Sequence, residues 1–317
     1  MKKFGLLSIL AMVMAFALVG CGSGANNANN AANNEGNKEA AQVSQEDMDA
    51  AVKAIKDKGK LVLATSADYP PYEWHLLKDG KDEIVGFDIE IAKAIADEMG
   101  VELEVKDLDF DGIIPSIASG QADIGIAGLS ATPEREEAVN FSAPYFTNEQ
   151  VVLVRKEDAD KYKKMEDFAG KVVGAQTGSI QEETVRENFP KDVELKSLAK
   201  LNNLALEVKN KTADALVISK SSGEQYAKQF PELVVIDAGV PEEPGVCVAS
   251  KKGNDALTAY INQVVQKLID EGKIESWIAE YEKLADESTG DEGAEEAAAG
   301  NAENNMANNA ANENNGK

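Results

Sequence analysis

Strand-like and helix-like segments alternate through the middle of the chain, and this alternation restricts the possible folds more than any other feature of the sequence. "KLVLATS" (60–66), "VELEVKDLDF" (101–110) and "ADIGIAGLS" (122–130) are typical of strands. Between the first two, "FDIEIAKAIADEMG" (87–100) carries apolar residues at helical spacing and ends in glycine. A βαβα order of this kind predicts parallel α/β sheets.

The same order occurs a second time further along the chain. "GKLVLATSA" (59–67) is similar to "GKVVGAQTGS" (170–179), and "SGQADIGIAGLS" (119–130) is similar to "NKTADALVISKS" (210–221). The echo indicates two similar α/β lobes. Patterns that are common to all βα units explain this similarity equally well, without any internal duplication.

Two extended segments are suited to connect the lobes. Residues 147–158 run from the first half to the second, and residues 234–250 run back. We therefore expect lobe 1 to comprise 51–146 and 244–285, and lobe 2 to comprise 147–243. A lobe interrupted by another lobe implies two hinge strands, and such an arrangement can close around a ligand.

Both ends of the chain differ in composition from this core. Residues 1–21 combine two lysines, a short apolar run and small residues, as a secretory signal does, and they end in "LVGC". That ending resembles the lipobox of bacterial lipoproteins, which implies a lipidated Cys21 and attachment to the membrane; the alternative is a signal anchor with a chance cysteine. Asn- and Ala-rich segments predict a disordered tether at 22–50 and a disordered acidic tail at 286–317. A short helix around "EGAEEAAAG" is the alternative for part of this tail.

The charge balance excludes one class of partner. The formal net charge is −24, from 56 acidic and 32 basic side chains. Binding to nucleic acid requires a basic surface that neutralises phosphates, and this composition does not provide one. We therefore expect no nucleic-acid partner. Separately, we expect the protein to be a monomer.

The stretch "AGLSATPEREEAVNFSAPY" (127–145) has an arginine at the junction of a strand and a helix. Thr132 is suited to the N-cap, Pro133 to the first helical position and Arg135 to the third. Ligands of α/β proteins bind at the carboxyl ends of strands, where helix N–H groups attract anions and arginine binds carboxylates through two parallel bonds. Exposed helix arginines are also common, so position alone leaves Arg135 as either a carboxylate-binding residue or an ordinary surface charge.

Five segments together resemble the family-3 extracellular solute-binding proteins, the polar amino-acid receptors of bacterial ABC importers. They are "TSADYPPYEW", "VGFDIEIAKAIADEMG", "DFDGIIPSIASGQADIGIAGLSATPERE", "FSAPYF" and "GKVVGAQTGSIQEE". The resemblance covers about residues 58–284 and implies an α/β, two-lobed periplasmic-binding-protein fold of type II, a flytrap with two hinge strands. It also implies an amino-acid ligand, permease and ATPase subunits of an importer as partners, an extracytoplasmic location and no cofactor.

The resemblance assigns roles to individual residues. The position of Arg135 is that of the arginine that binds the ligand's α-carboxylate, assisted by backbone N–H groups at Ser130 and at 178–180. The position of Gly128 is that of a residue whose carbonyl accepts a hydrogen bond from the α-ammonium. The ligand site expected from the resemblance and the sequence is Ser66, Asp68, Tyr69, Phe110, Gly128, Ser130, Arg135, Gln176, Gly178, Ser179, Ile180 and Ser219.

Three of these residues are expected to contact the ligand's side chain or its surroundings. Tyr69 and Phe110 match an aromatic pair that brackets the side chain, and Gln176 matches a position of lobe 2 that contacts ligands in some members. Phe110 also ends a strand-like run, so a core position is the alternative for it. Tyr69 precedes two prolines, which direct the chain away from the sheet.

Two positions depart from the family pattern. Many members have aspartates where this chain has Ser66 and Ser219, and those carboxylates pair with the α-ammonium. A desolvated cation without a counter-charge is costly. Asp68 lies two residues after Ser66, on the same side of an extended segment, and we expect it to neutralise the ammonium.

An enzyme and a sensor are the competing functions. A few relatives of this fold are dehydratases, but the sequence lacks a nucleophile elbow, a P-loop, a dinucleotide fingerprint and metal-ligand spacing. The single histidine, His75, lies in "YEWHLLKDG", which we interpret as a loop, and Cys247 is expected to be a small buried residue. We expect neither catalysis nor a metal, and a sensor would require a separate output partner.

Overall fold

The computed structural model describes residues 43–78 and 80–292, without the side chains of 289–292. The signal segment with Cys21, nearly all of the predicted tether and most of the predicted tail lie outside the described residues. Among the helices that are described, none is both long enough and apolar enough to span a membrane.

Helices and strands alternate along the described chain. The helices are α1 (Gln45–Lys58), α2 (Phe87–Met99), α3 (Ile113–Ala118), α4 (Pro133–Ala138), α5 (Ile180–Asn188), α6 (Leu201–Lys209), α7 (Lys220–Gln229), α8 (Asp255–Asp270) and α9 (Lys273–Glu292). The strands are β1 (Lys60–Thr65), β2 (Asp68–Tyr69), β3 (Glu73–Lys78), β4 (Lys81–Val85), β5 (Glu102–Asp107), β6 (Ile124–Gly125), β7 (Val139–Phe141), β8 (Gln150–Arg155), β9 (Val172–Gln176), β10 (Glu194–Leu198), β11 (Ala215–Ser219), β12 (Leu233–Ile236) and β13 (Ala249–Lys251).

Two five-stranded sheets organise these elements. The first has the order β5-β1-β6-β13-β7 and the second has the order β10-β9-β11-β8-β12. β1 runs parallel to β5 and β6 just as β9 runs parallel to β10 and β11, and antiparallel strands complete each sheet. The expected pair of α/β lobes is confirmed. The chain passes between the sheets at 142–149 and 237–248, and the limits given above for each lobe stay a prediction.

Both sheets are apolar on both faces because helices pack on each side. Along β1, Leu61 and Leu63 belong to one buried cluster, whereas Val62 and Ala64 belong to another. The residues of β8 divide in the same way between the two clusters of the second lobe. Strands buried on both faces read as continuous apolar runs, and each fully buried leucine contributes about 1.5–3 kcal/mol.

The structured region extends further at both ends than the sequence predicted. The tether was expected to reach residue 50, but α1 begins at Gln45 because Ser44 and Asp47 form a capping box, with Asp47 N–H donating to Ser44 Oγ at 3.2 Å. The disordered tail was expected from residue 286, but α9 continues to Glu292. Asp286 accepts a hydrogen bond from Gln225 of α7 at 2.9 Å, which ties this end of α9 to the second lobe.

His75 lies in a strand, so its interpretation as a loop residue is wrong. β3 pairs antiparallel with β4, and their last pair is Lys78 and Lys81. The His75 ring contacts Asp82 at 2.9 Å and Asp107 at 3.3 Å. Burial lowers the pKa of His75, but the hydrogen bonds to these carboxylates outweigh it and the pKa is raised.

Two carboxyl groups are buried close together in the first lobe. Glu73 and Asp88 are both fully buried. Asp88 accepts hydrogen bonds from Gly128 N–H at 2.9 Å and from the Tyr145 hydroxyl at 2.7 Å, yet burial raises its pKa to about 6. Burial, and then the neighbouring charge of Asp88, raise the pKa of Glu73 well above its usual value.

The burial of Glu73 predicts how stability depends on pH. Because the pKa values of Glu73 and Asp88 are higher in the folded than in the unfolded chain, the free energy of unfolding should fall as the pH rises from about 4.5 through about 6 and beyond. Glu73→Gln removes one of these groups and should flatten the fall. Thermal melts over this pH range measure it, with the exposed Glu46→Gln as control. Identical slopes for wild type and Glu73→Gln would contradict the prediction.

Candidate functional site

One cavity lies between the sheets, where β1, β6, β9 and β11 end. Its walls are Tyr69, Phe110, Gly128, Arg135, Gln176, Ser179, Ile180, Gln181, Leu201, Val217 and Ile218. Its volume of about 20 Å³ is little more than one water molecule requires. The lobes are therefore close together in this structure, and a larger ligand enters only when they separate.

Most of the residues expected at the ligand site come together here. The cavity is lined by the expected residues Tyr69, Phe110, Gly128, Arg135, Gln176, Ser179 and Ile180. Gly178 lines an adjoining groove of about 530 Å³. The other four do not line the cavity; they are Ser66, Asp68, Ser130 and Ser219. That these twelve residues bind a ligand stays a prediction.

Arg135 contacts both lobes. Thr132 caps α4 by accepting a hydrogen bond from Arg135 N–H, and Pro133 occupies the first helical position, as predicted. The Arg135 guanidinium donates through Nη1 to the Ser130 carbonyl at 2.8 Å and through Nη2 to the Gly178 carbonyl at 3.0 Å. It also lies 5.4 Å from the centroid of the Phe110 ring. Burial lowers the pKa of Arg135, and Glu183 and other nearby carboxylates oppose that shift. Its Nη1 and Nη2 atoms are the pair that would bind a carboxylate.

Two glycines allow the close approach of the cavity walls. Gly128 has a φ of +56°, and a Cβ atom there would lie 3.0 Å from Cε1 of Tyr69. Gly178 has a φ of +75°, and a Cβ atom there would lie 2.9 Å from Cβ of Asp111 on the opposite lobe. Any larger residue at either position would strain the backbone and hold the walls apart.

The backbone amides near Gly178 have partners within the second lobe. Ser179 caps α5 by accepting a hydrogen bond from Glu182 N–H at 3.1 Å. Gly178 N–H donates to Glu182 Oε2 at 2.8 Å. A ligand carboxylate that used the Gly178 N–H would therefore have to displace the carboxylate of Glu182, which is also bonded to Arg186.

Asp68 joins the two lobes. Its Oδ2 accepts from Leu201 N–H, at the first residue of α6, at 2.8 Å, and its Oδ1 is 3.4 Å from Nε2 of Gln176 and 3.3 Å from Oγ of Ser66. A carboxylate at a helix N-terminus is favourable. Burial raises the pKa of Asp68 although the Leu201 N–H and Lys200 oppose the shift. Its expected role as partner of a ligand ammonium stays a prediction, and the bond to Leu201 competes with that role.

Five residues that contact the cavity or its walls were not expected from the sequence. They are Gln181, Leu201, Val217, Ile218 and Glu243. Glu243 is only 7% exposed and lies in the returning hinge segment, where its Oε2 accepts from Nε2 of Gln181 at 3.1 Å. Burial raises its pKa to about 8, although Arg135 and the Gln181 hydrogen bond oppose the shift. Nothing in "VPEEPG" distinguishes Glu243 from the exposed Glu242 beside it.

The groove that adjoins the cavity has an acidic lining. Its walls include Glu134, Glu182, Glu183 and Glu187, with Arg186 as the second arginine besides Arg135. Carboxylates around the mouth of a cleft attract cations and repel anions. No group of three or more His, Cys, Asp or Glu side chains within the described part of the chain is arranged to hold a metal ion.

A cleft between two α/β lobes that are joined by two crossing segments defines a two-lobed solute-binding protein. The model of the bacterial extracellular solute-binding proteins, family 3, matches residues 61–283. The chain belongs to this family, and its type II fold and its function as a solute-binding protein follow. Proteins of this family are extracellular, which agrees with the expected location outside the cytoplasm.

Individual relatives are similar over most of the chain. The arginine-binding extracellular protein ArtP of Bacillus subtilis is 34% identical over 278 residues, which cover 87% of this chain and 96% of ArtP. The ABC transporter arginine-binding protein 1 of Escherichia coli is 30% identical over 232 residues, which cover 72% of this chain and 90% of that protein. The structure of AbpA from Streptococcus pneumoniae bound to L-arginine matches with a TM-score of 0.71 and 38% identity, over 74% of this chain and 98% of AbpA.

Replacing Arg135 tests whether it binds a ligand carboxylate. Arg135→Ala should weaken binding of the best ligand by about 2–5 kcal/mol, as truncation of one partner of a buried charged pair does. Arg135→Lys should recover only part of this loss because lysine lacks the planar fork. Calorimetric titration measures both, and Arg186→Ala, which removes an exposed arginine of the same groove, is the matched control.

The fold should survive both substitutions because Thr132 and Pro133 still start α4. Unchanged affinity in Arg135→Ala would show that Arg135 does not bind the ligand carboxylate. Loss of the ligand-free melting transition together with binding would make its role structural.

Proposed function

We propose that the cleft captures a cationic amino acid, with L-arginine as the first candidate, and delivers it to the permease of an ABC importer. The observation that carries the proposal is the position of the Arg135 guanidinium. It lies in a cavity walled by Tyr69 and Phe110 and is bonded to both lobes. A carboxylate bound there would connect the lobes through a charge-assisted pair, and such pairs strengthen as water leaves the cleft.

The acidic groove supports a cationic rather than an anionic side chain. Glu134, Glu183 and Glu187 line it beside Arg135, and the whole chain carries a net charge of −24. An anionic ligand would approach against this field, whereas a cationic ligand is steered toward the cleft. ArtP of Bacillus subtilis is named an arginine-binding protein, and AbpA of Streptococcus pneumoniae was solved with L-arginine.

Delivery to a transporter follows from what the relatives do. The Escherichia coli relative is named as a binding protein of an ABC transporter. Permease and ATPase subunits are the corresponding partners of this chain, which acts as a monomeric carrier. Because the ligand is enclosed between the lobes, the carrier must open before the ligand leaves, and docking on a permease that favours the open form would release it.

The choice among amino acids is testable by thermal shift with the folded core. L-arginine should raise the melting temperature by about 5–10 °C at 100 times its dissociation constant, since binding then adds about 2.7 kcal/mol. At the same concentration, L-lysine and L-histidine should raise the melting temperature less than L-arginine does, and L-glutamate and L-citrulline should raise it least. A larger shift with L-glutamate than with L-arginine would overturn the cationic preference.

The proposed anchor is a lipid on Cys21, and it is testable by cell fractionation. The wild-type protein should remain with the membrane, while Cys21→Ala should appear in the soluble extracytoplasmic fraction because the lipid is its attachment. The lone cysteine of the core, Cys247, gives the control: Cys247→Ala should stay with the membrane. A Cys21→Ala protein that remains membrane-bound without lipid would contradict the proposal.

A further inference from the structure

Glu243 is a buried carboxyl group that is hydrogen-bonded to a residue of the cavity wall. It lies in the segment that returns from lobe 2 to lobe 1, and the next residue, Pro244, accepts a hydrogen bond through its carbonyl from Oγ of Ser130 at 2.9 Å. Ser130 is the residue whose own carbonyl binds the Arg135 guanidinium. Glu243 also accepts a hydrogen bond from Gln181, which lines the cavity. The carboxyl group is therefore held beside the cavity and next to the arginine.

The groups around Glu243 compensate its charge only in part. Arg135 of α4 is the cation that acts on it, and Gln181 of α5 donates one hydrogen bond. The other ionisable neighbours are Tyr69 and Tyr72, whose hydroxyl groups have pKa values raised by burial and then by the negative charge of Glu243. A buried carboxylate with so little compensation is costly, and a second cation placed beside it would relieve that cost.

A bound amino acid would bring such a cation. Its α-carboxylate and α-ammonium are attached to the same carbon, so the two opposite charges lie side by side. Arg135 lines the cavity and Glu243 is bonded to Gln181 in the cavity wall, so Arg135 and an ionised Glu243 would form the complementary pair of opposite charges. Among the other carboxylates near Arg135, Glu134 and Glu183 line the adjoining groove, and Asp68 is bonded to Leu201 N–H. Ser66 and Ser219 carry no charge.

We infer that Glu243 is the residue that neutralises the ligand's α-ammonium in this chain. This inference rests on the proposed function, because it requires an amino acid whose carboxylate binds Arg135. The counter-charge then comes from the segment at 237–248 that crosses between the two sheets.

A proton should leave the protein when the ligand binds. Because the pKa of Glu243 is raised to about 8 without ligand, the group is mostly protonated at pH 7, and an ammonium beside it favours the ionised form. Binding at pH 7 should therefore release about one proton, and affinity should rise as the pH increases from about 6 to about 8.

The test is calorimetric titration at pH 7 in two buffers with different ionisation enthalpies. The ligands are L-arginine, its des-amino analogue 5-guanidinopentanoate, and L-citrulline, which keeps the ammonium but has a neutral side chain. Glu243→Gln keeps a hydrogen-bond acceptor for Gln181 and removes the charge. It should lose about 10²-fold in affinity for L-arginine and L-citrulline alike, with a much smaller loss for 5-guanidinopentanoate, and it should release no proton.

Glu242→Gln is the matched control, since it removes the same charge from the adjacent, exposed residue. It should bind all three ligands like wild type and release the same number of protons. If Glu243→Gln does not fold, the proton release of the wild type with L-arginine, and its absence with 5-guanidinopentanoate, decides the matter.

Two different failures can be told apart. The role of Glu243 alone would be overturned if Glu243→Gln lost equal affinity for L-arginine and 5-guanidinopentanoate, or lost affinity only for ligands with a guanidinium. Binding of L-arginine to the wild type without proton release would also overturn it. Failure of the wild type to bind L-arginine would overturn the proposed function and this inference with it.

Discussion

The guanidinium of Arg135 is a permanent positive charge in a cleft that holds little water, and the arrangement of both lobes depends on how that charge is satisfied. In this structure carbonyl oxygens satisfy it, one from Ser130 on its own lobe and one from Gly178 on the other. Carbonyl dipoles are weaker partners than a carboxylate. A ligand carboxylate that replaces the Gly178 carbonyl would therefore bind Arg135 more strongly than that carbonyl does, and it would connect the lobes if the rest of the ligand contacts the second lobe.

Other contacts hold the lobes together in the same arrangement. Asp68 reaches from β2 to the start of α6, and Asp286 reaches from α9 to α7. Each is a polar contact that separation of the lobes must break, but neither lies in the cavity. The ligand adds its contacts to this existing set, and it shifts the balance between open and closed forms by the difference in its affinity for them.

The sequence predicts the parts of the fold that depend on local patterns. The alternation of apolar segments predicts parallel α/β sheets, and each sheet has three parallel strands to which antiparallel strands are added. The order Thr-Pro-Glu-Arg predicts the cap and first turn of α4 because capping involves neighbours within three residues. The same local logic fails where contacts are long-range. α9 continues past residue 285, where Asp286 binds Gln225, which is 61 residues away, and no pattern near Asp286 predicts this contact.

The candidate site divides in the same way. Resemblance leads to Arg135, Tyr69 and Phe110, which line the cavity as expected. Glu243 is missed because its burial arises only when the hinge segment lies against both lobes, and in the sequence it is one of two adjacent acids. Asp68 is found, but its bond to Leu201 is invisible in the sequence because it joins residues on different lobes.

A crystal structure of the core with L-arginine tests the central claim most directly. The account predicts that the ligand's carboxylate accepts two hydrogen bonds from Arg135 in place of the Gly178 carbonyl, and that its ammonium lies within hydrogen-bond distance of Glu243. A ligand whose carboxylate binds elsewhere, with Arg135 still donating to Gly178, would contradict it.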